Sequence, residues 1–442
     1  MAEPFLGSTG ILIVMFGGLT LFMMTGLPIA FVLGGLSLII AVTLWNPQSV
    51  ILLVLQIFDT MKSEALLGIP LYILMAALLS RSGVIEKLYR AMELWFGRLR
   101  GGLAVGTVVI CVIMAAMTGV VGAAVTAMGM LALPEMLRRR YSPELATGTI
   151  CAAGTLGILI PPSVLTIVYA VTAQVSIGKM LIAGIVPGIM LATLFIGYIL
   201  VLSWLRPEVA PLADDFEPAP LGARLAALGA LILPSLIIVL ILGSIFLGVA
   251  TPTEAAAVGV LGAMAAALIE GRLTRETLAS SAFDTVKATA MILWITIGAK
   301  AYVAIFTGLG GADALLGFIK GLDVAPMLIL AVMMLILIFL GTVLDEIGII
   351  LLTVPVFLPI VKFLGFDEIW FGVLYAITIQ MGYISPPFGY TLFYMKGTLP
   401  PGMSMGVVYR GITPFMLLQG VGLLLAMAFP ALMTVLPALM VK

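Results

Sequence analysis

Long apolar runs separated by short polar punctuation set the pattern of this chain. Crossing about 30 Å of hydrocarbon takes about 20 apolar residues in a helix. On that measure the pattern predicts full spans near residues 9–25, 28–45, 66–82, 145–173, 179–204, 224–247, 252–270, 288–306, 367–395 and 408–437. Two further apolar regions, 102–137 and 325–361, each hold two short runs broken by a small or polar element. The break is Thr118-Gly119 in the first, and Gly341-Thr342 with Asp345-Glu346 in the second. Two antiparallel spans would need a polar loop there, and neither region has one. A re-entrant hairpin fits, because backbone can turn at membrane depth where protein or water surrounds it. Residues 84–99 alternate charged and apolar positions at helical spacing, Trp95 and Phe96 among them, which predicts an arm along the membrane surface. Residues 311–322 form a weaker counterpart.

The two halves resemble each other. Gly157-Ile158-Leu159-Ile160-Pro161-Pro162 recurs as Gly382-Tyr383-Ile384-Ser385-Pro386-Pro387, a shift of 225, and Pro134 maps to Pro359 at the same shift. Pro28 maps to Pro252 at 224, and Gly184-Ile185-Val186-Pro187 to Gly411-Ile412-Thr413-Pro414 at 227. The expected organisation is a first repeat over 1–204, a linker over 205–220 rich in Pro, Asp and Glu, and a second repeat over 221–442. Scaffold spans at 9–45, hairpin 102–137 and broken helix 145–173 fall in the first repeat; hairpin 325–361 and broken helix 367–395 fall in the second. Five crossings per half turn the second copy upside down. Inverted repeats with broken helices near the midplane are a mark of secondary transporters.

Charge then orients this all-α polytopic fold. With both hairpins re-entrant and the N-terminus outside, fifteen Lys and Arg fall on one side, Arg138, Arg139 and Arg140 among them, and five on the other. Lys300 stays inside a span. The positive-inside rule places the fifteen, and with them the linker, in the cytoplasm. Composition agrees with a lipid-covered body: 62% of the 442 residues are hydrophobic and 10% charged, against about 25% charged in soluble domains. Lys plus Arg equals Asp plus Glu at 21 each, and no basic patch of the kind nucleic acid requires is present. With no His, and with Cys111 and Cys151 isolated in apolar runs, an intramembrane enzyme lacks its usual base and metal ligands.

Three features carry chemistry. Proline inside a helix removes a donor and clashes with the preceding turn, costing about 3 kcal/mol or more. The paired Gly–Pro-Pro elements should therefore unwind two spans, either as plain kinks or as breaks whose freed carbonyls meet a cation. Asp345 and Glu346 put carboxylates at membrane depth, where a charge costs at least about 2.5 kcal/mol and usually marks a pathway; the alternative is that Asp345 caps the next helix. Lys300 either attracts an anion, pairs with an acid or snorkels to the surface. Thr251-Pro252-Thr253-Glu254 and Ser142-Pro143-Glu144 read as helix starts.

These strings resemble a known family. Residues 152–163 (AAGTLGILIPPS), 175–179 (VSIGK), 183–188 (AGIVPG), 251–257 (TPTEAAA), Leu344-Asp345, Val354-Pro355 and Ser385-Pro386-Pro387-Phe388-Gly389 are similar to the large membrane subunit of TRAP (tripartite ATP-independent periplasmic) transporters, the DctM-like permeases. Gly308-Leu309-Gly310-Gly311 and residues 392–397 look like the mannitol/chloroaromatic branch. The resemblance implies an inner-membrane elevator transporter that imports an organic anion on a sodium gradient, without ATP. It also implies a four-helix small membrane subunit and a periplasmic substrate-binding protein as partners, Na+ as coupling ion and no other cofactor. The family's ion and substrate region falls here on Thr118, Gly119, Gly122, Gly154, Thr155, Gly157, Gly341, Thr342, Asp345, Gly382 and Ser385, beside the helix-breaking Pro161, Pro162, Pro386 and Pro387. The first tip departs from the family's serine-rich pattern: Val120, Val121 and Ala123 stand there, so backbone carbonyls must supply more of any coordination. The competing readings are a self-sufficient sodium/anion symporter of similar fold, an enzyme, and a structural scaffold.

Overall fold

The computed structural model describes residues 7–97, 99–212 and 220–440. Arg98, Lys442 and the linker residues 213–219 lie outside the described residues. Every regular element among the described residues is helical. The helix starts follow their sequence signals. Thr251 Oγ1 accepts from Glu254 N at 3.3 Å while the Glu254 carboxylate accepts from Thr251 N at 2.8 Å, a complete capping box. Ser142 caps Pro143–Gly154 by accepting from Leu145 N.

Both hairpins form. Gly102–Thr118 turns into Val121–Arg138 through Gly119 and Val120, and Pro326–Gly341 turns into Glu346–Phe363 through residues 342–345. Both broken helices form too: Pro143–Gly154 runs through the short 3-10 turn Thr155–Ile158 before Val164–Ala173, and Glu368–Ile384 stops before Tyr390–Thr398. The predicted arm is Val84–Phe96, set at 60° to Gly68–Arg81, with Gly83 at φ 83° in the turn. Its buried face, Val84, Leu88 and Met92 included, packs on Gly102–Thr118.

Three expectations change. The stretch between the spans at 28–45 and 66–82 is itself helical, Val50–Met61, after Asn46 Oδ1 accepts from Ser49 N at 2.9 Å. Gln56 and Asp59 shorten its apolar run below span length, which hid it. The span at 288–306 is the end of a 34-residue helix, Arg275–Gly308, about 51 Å long at 1.5 Å per residue. The stretch 408–437 breaks at Phe429-Pro430 into Met405–Ala428 and Ala431–Ala438. Among the described residues seven helices are individually long and apolar enough to cross a membrane.

Small residues let these helices approach closely, as membrane packing favours. A Cβ on Gly148 would fall 2.1 Å from the Gly411 carbonyl oxygen, so Pro143–Gly154 and Met405–Ala428 cross backbone to backbone. Elsewhere large apolar side chains face outward: Phe31, Leu55, Ile232, Val239, Leu261 and Phe339 are all more than half exposed. In a soluble protein such a surface would be an interaction patch; here it is the face that lipid or a membrane partner covers.

Candidate functional site

The first hairpin tip docks on the first break. The helix ends because Gly119 takes φ 59° and Val120 is extended. A Cβ on Gly119 would sit 2.1 Å from the Pro162 carbonyl oxygen, so only glycine permits this approach. Gly157 faces the same turn, where a Cβ built on it would lie 3.5 Å from Val120 N, and Gly154 lies against Val125. Ser163 Oγ donates to the Ile158 carbonyl at 2.5 Å and accepts from Thr166 N at 3.3 Å, capping the far arm. Among the described residues no hydrogen bond ends on the carbonyls of Ile160, Pro161 or Pro162, all buried. The Thr118 hydroxyl donates to its own helix, at Met114 O, 2.9 Å. The Pro161–Pro162 and Pro386–Pro387 bonds are both cis.

The second hairpin tip docks on the second break by a different route. Gly341 and Gly382 meet nearly Cα to Cα: a Cβ on Gly382 would lie 2.7 Å from the Gly341 Cα. Asp345 is the N-cap of Glu346–Phe363, its carboxylate accepting from Gly348 N at 3.2 Å. Glu346 N donates to Tyr383 Oη at 2.7 Å, tying the tip to the broken helix. The Thr342 and Ser385 hydroxyls donate to carbonyls of their own helices, Phe339 O and Met381 O. The far arms then cross over: Val121–Arg138 packs on Tyr390–Thr398, with Gly122 under the Tyr394 ring, while Val164–Ala173 packs on Glu346–Phe363.

Between the breaks lies a polar cluster that sequence reasoning did not assemble. Thr155 Oγ1 donates to Ala152 O at 2.7 Å, accepts from Gln419 Nε2 at 3.0 Å and lies 3.4 Å from Gln380 Oε1. All three residues are fully buried, where unpaired polar atoms are costly. Gln380 stands 225 residues after Thr155, the shift that relates the two Gly–Pro-Pro strings. That shift was the signal available to find it.

A cavity of about 390 Å³ opens beside both tips. One wall is residues 120–123, Asp345, Glu346 and the tyrosines 383, 390 and 394; the other is the Ile73–Arg81 and Asp284–Ile292 faces of two packed helices. The tyrosine rings pack in a row, Tyr383 tilted against Tyr390 at 5.0 Å between centroids and Tyr390 edge to face with Tyr394 at 5.2 Å. Arg81 and Asp284, 2.5 Å apart, line its opposite wall. Of the ion and substrate residues implied by the family resemblance, Gly122 and Asp345 reach this cavity, with Glu346 and the tip residues Val120, Val121 and Ala123 beside them; Ser385 does not, and no hydrogen bond joins it to Asp345 among the described residues. The tyrosines, Arg81 and Asp284 were missed, although Tyr383, Tyr390 and Tyr394 recur at spacings of seven and four. Oxygen donors of this kind, carbonyls and carboxylates, suit a hard cation.

Helix bundles with two tip-to-break junctions around an interior cavity define a polytopic membrane protein, and solved structures share its fold. A YdaH transporter of Alcanivorax borkumensis superposes at TM-score 0.65 and 16% identity, covering 94% of this chain and 98% of that one. Residues 16–432 match the family described as the tripartite ATP-independent periplasmic transporter, DctM component. The chain therefore belongs to the DctM family of TRAP large permeases: an inner-membrane transporter component, not an enzyme. It is 33% identical over 404 residues to a C4-dicarboxylate TRAP transporter large permease of Pseudomonas aeruginosa, covering 91% of this chain and 93% of that protein. It is 31% identical over 372 residues to an ectoine/5-hydroxyectoine TRAP large permease of Ruegeria pomeroyi, covering 83% and 84%.

Proposed function

We propose that this chain is the large permease of a sodium-coupled TRAP transporter that imports a small organic anion by an elevator movement. Two inverted repeats, 1–204 and 221–442, joined by the 205–220 linker, carry ten spans and two re-entrant hairpins. The mobile part holds both hairpins and both broken helices and moves against a scaffold that includes Gly68–Arg81 and Arg275–Gly308. A four-helix small subunit covers part of the exposed apolar scaffold, and a periplasmic binding protein delivers the anion. Sodium binds among the tip and break oxygens near Thr118, Gly119, Gly154, Thr155 and Gly157 in one half, and near Gly341, Thr342, Asp345, Gly382 and Ser385 in the other. The molecules named for the two relatives above both carry a carboxylate, and the C4-dicarboxylate is an anion, which supports an anionic carboxylate as substrate.

One observation carries this reading: each half contains a hairpin tip seated on a proline-broken helix. Corresponding helices begin at 121 and 143 in one half and at 346 and 368 in the other, an offset of 225 in both cases. A structural kink has no need of a docked hairpin, and its duplication at constant offset is what alternating access through inverted repeats requires. The test is uptake into liposomes holding the chain with its small subunit and binding protein under an imposed sodium gradient. Sodium-dependent uptake by the full assembly, and little by the chain alone, is the expected result. Robust uptake by the chain alone would favour the self-sufficient symporter, and uptake indifferent to sodium would remove the coupling ion.

A further inference from the structure

A second cavity, of about 270 Å³, lies on the same seam between the long helix Arg275–Gly308 and the hairpin-and-break elements. The first cavity extends to Val164, Ile292 and Ile347; the second begins at Val168, Thr296 and Leu351. On each of these three helices four residues separate the two, about one turn or roughly 6 Å. They lie as neighbouring widenings of the seam, about one helical turn apart. Each widening holds one cation–acid pair: Arg81 with Asp284 in the first, Lys300 with Asp59 in the second, Nζ to carboxylate 2.5 Å. Asp284 and Lys300 stand on the same helix, about 24 Å apart along its axis, so the pairs mark opposite ends of the seam.

The second pair is uneven. Lys300 is 27% exposed and fixed on a long packed helix, whereas Asp59 is 67% exposed. An acid so accessible to water holds its partner weakly and is readily exchanged for another anion. Lysine within a span is retained where it faces a water-filled cavity and meets a counter-charge. Thr172 and Thr296 also line this cavity, their hydroxyls donating to carbonyls of their own helices.

We propose that Lys300 is the anion-docking group at the outer end of the seam. Asp59 occupies it when the cavity is empty, and a carboxylate or sulfonate of the substrate displaces Asp59 on entry. The assignment rests on the organic-anion reading above, but its test does not use transport. In cells expressing the chain with its small subunit, Cys111 and Cys151 are replaced by Ala, and Ala304→Cys places a thiol in the cavity wall. Labelling rates from outside are compared for anionic sulfonatoethyl and cationic trimethylammonioethyl methanethiosulfonate. Asp59→Asn should raise the anionic-to-cationic rate ratio, Lys300→Gln should lower it roughly fivefold or more, and Lys300→Arg should preserve it. If Lys300→Gln alone fails to accumulate, Lys300→Gln with Asp59→Asn leaves no unpaired charge and should show a lower ratio than Asp59→Asn alone. A ratio unmoved by loss of Lys300, or a thiol at 304 that does not react from outside, overturns the proposal. A failure of anion import with the charge-selective labelling intact would count instead against the functional reading.

Discussion

Gly119→Ala offers a direct test of whether the first tip must touch the first break. Two costs can be separated. The residue's φ of 59° lies in the left-handed region, which costs a residue with a Cβ about 1–2 kcal/mol. Beyond that, the new Cβ would be 2.1 Å from the Pro162 oxygen and 3.2 Å from its carbonyl carbon. Non-bonded carbon and oxygen do not approach so closely, so tip and break must separate by roughly 1 Å. Overpacking of this kind adds about 1–3 kcal/mol. Gly26 supplies the control: its φ is 77° and nothing lies within 4 Å of a Cβ built there, so Gly26→Ala carries the backbone cost alone. Thermal unfolding of the purified protein should rank wild type above Gly26→Ala and Gly26→Ala above Gly119→Ala. Sodium-driven uptake by the reconstituted three-part transporter should fall at least about tenfold for Gly119→Ala and stay near wild type for Gly26→Ala. Equal losses in the two variants would show that the contact with Pro162 plays no part, and the docking argument would fail.

Asp345→Asn keeps the cap, since Asn caps as well as Asp, but removes the charge; the half-saturating sodium concentration for uptake should rise several-fold, and an unchanged value would leave Asp345 as a cap alone. Gln419→Leu strips the donor from buried Thr155 and should cost about 1–3 kcal/mol in thermal or denaturant unfolding, with part of the loss recovered in Gln419→Leu combined with Thr155→Val. Gly148→Ala places a methyl 2.1 Å from the Gly411 oxygen and should lower the unfolding midpoint more than Gly197→Ala, where nothing lies within 4 Å. Single cysteines replacing Arg138 or Arg140, on a background without Cys111 and Cys151, should resist impermeant thiol reagents in intact cells; labelling from outside would reverse the charge-based orientation.

Local signals made most of the architecture legible. Proline pairs, a glycine at a tip, and Thr or Ser before a proline act within a few residues of themselves, so the breaks, the hairpins and the starts at Ser142 and Thr251 could be read from the chain. Partner choice could not be read in this way. Arg81 finds Asp284 across 203 residues and Lys300 finds Asp59 across 241; which acid a cation meets depends on how helices cross, and periodicity does not encode that. The same limit applies to Asp345 and Ser385, which the family resemblance puts in one ion and substrate region. The hairpin instead turns Asp345 toward the cavity with Tyr383, while the Ser385 hydroxyl is taken by its own helix. Val50–Met61 was missed for a different reason: a helix with Gln56 and Asp59 on it fails an apolar-length criterion although nothing about it disfavours helix.

The two halves place different chemistry at corresponding positions. Val120 and Asp345 are both N-caps of a hairpin's second arm, 225 residues apart, one apolar and one acidic. At the first junction the break presents backbone carbonyls and the hydroxyls of Thr155 and Ser163, against a turn in which Gly119 and Val120 add no side-chain oxygen. At the second, a carboxylate, a tyrosine hydroxyl and the tip amide of Glu346 converge. On the functional reading proposed here, a cation at the first junction would meet neutral dipoles, and one at the second would also meet a formal charge. Only at the second would the ion cancel a formal charge beside it on binding, and so ease that tip's passage through a low-dielectric seam. Symmetric architecture can thus carry an asymmetric electrostatic load, and the residue that breaks the symmetry is Asp345.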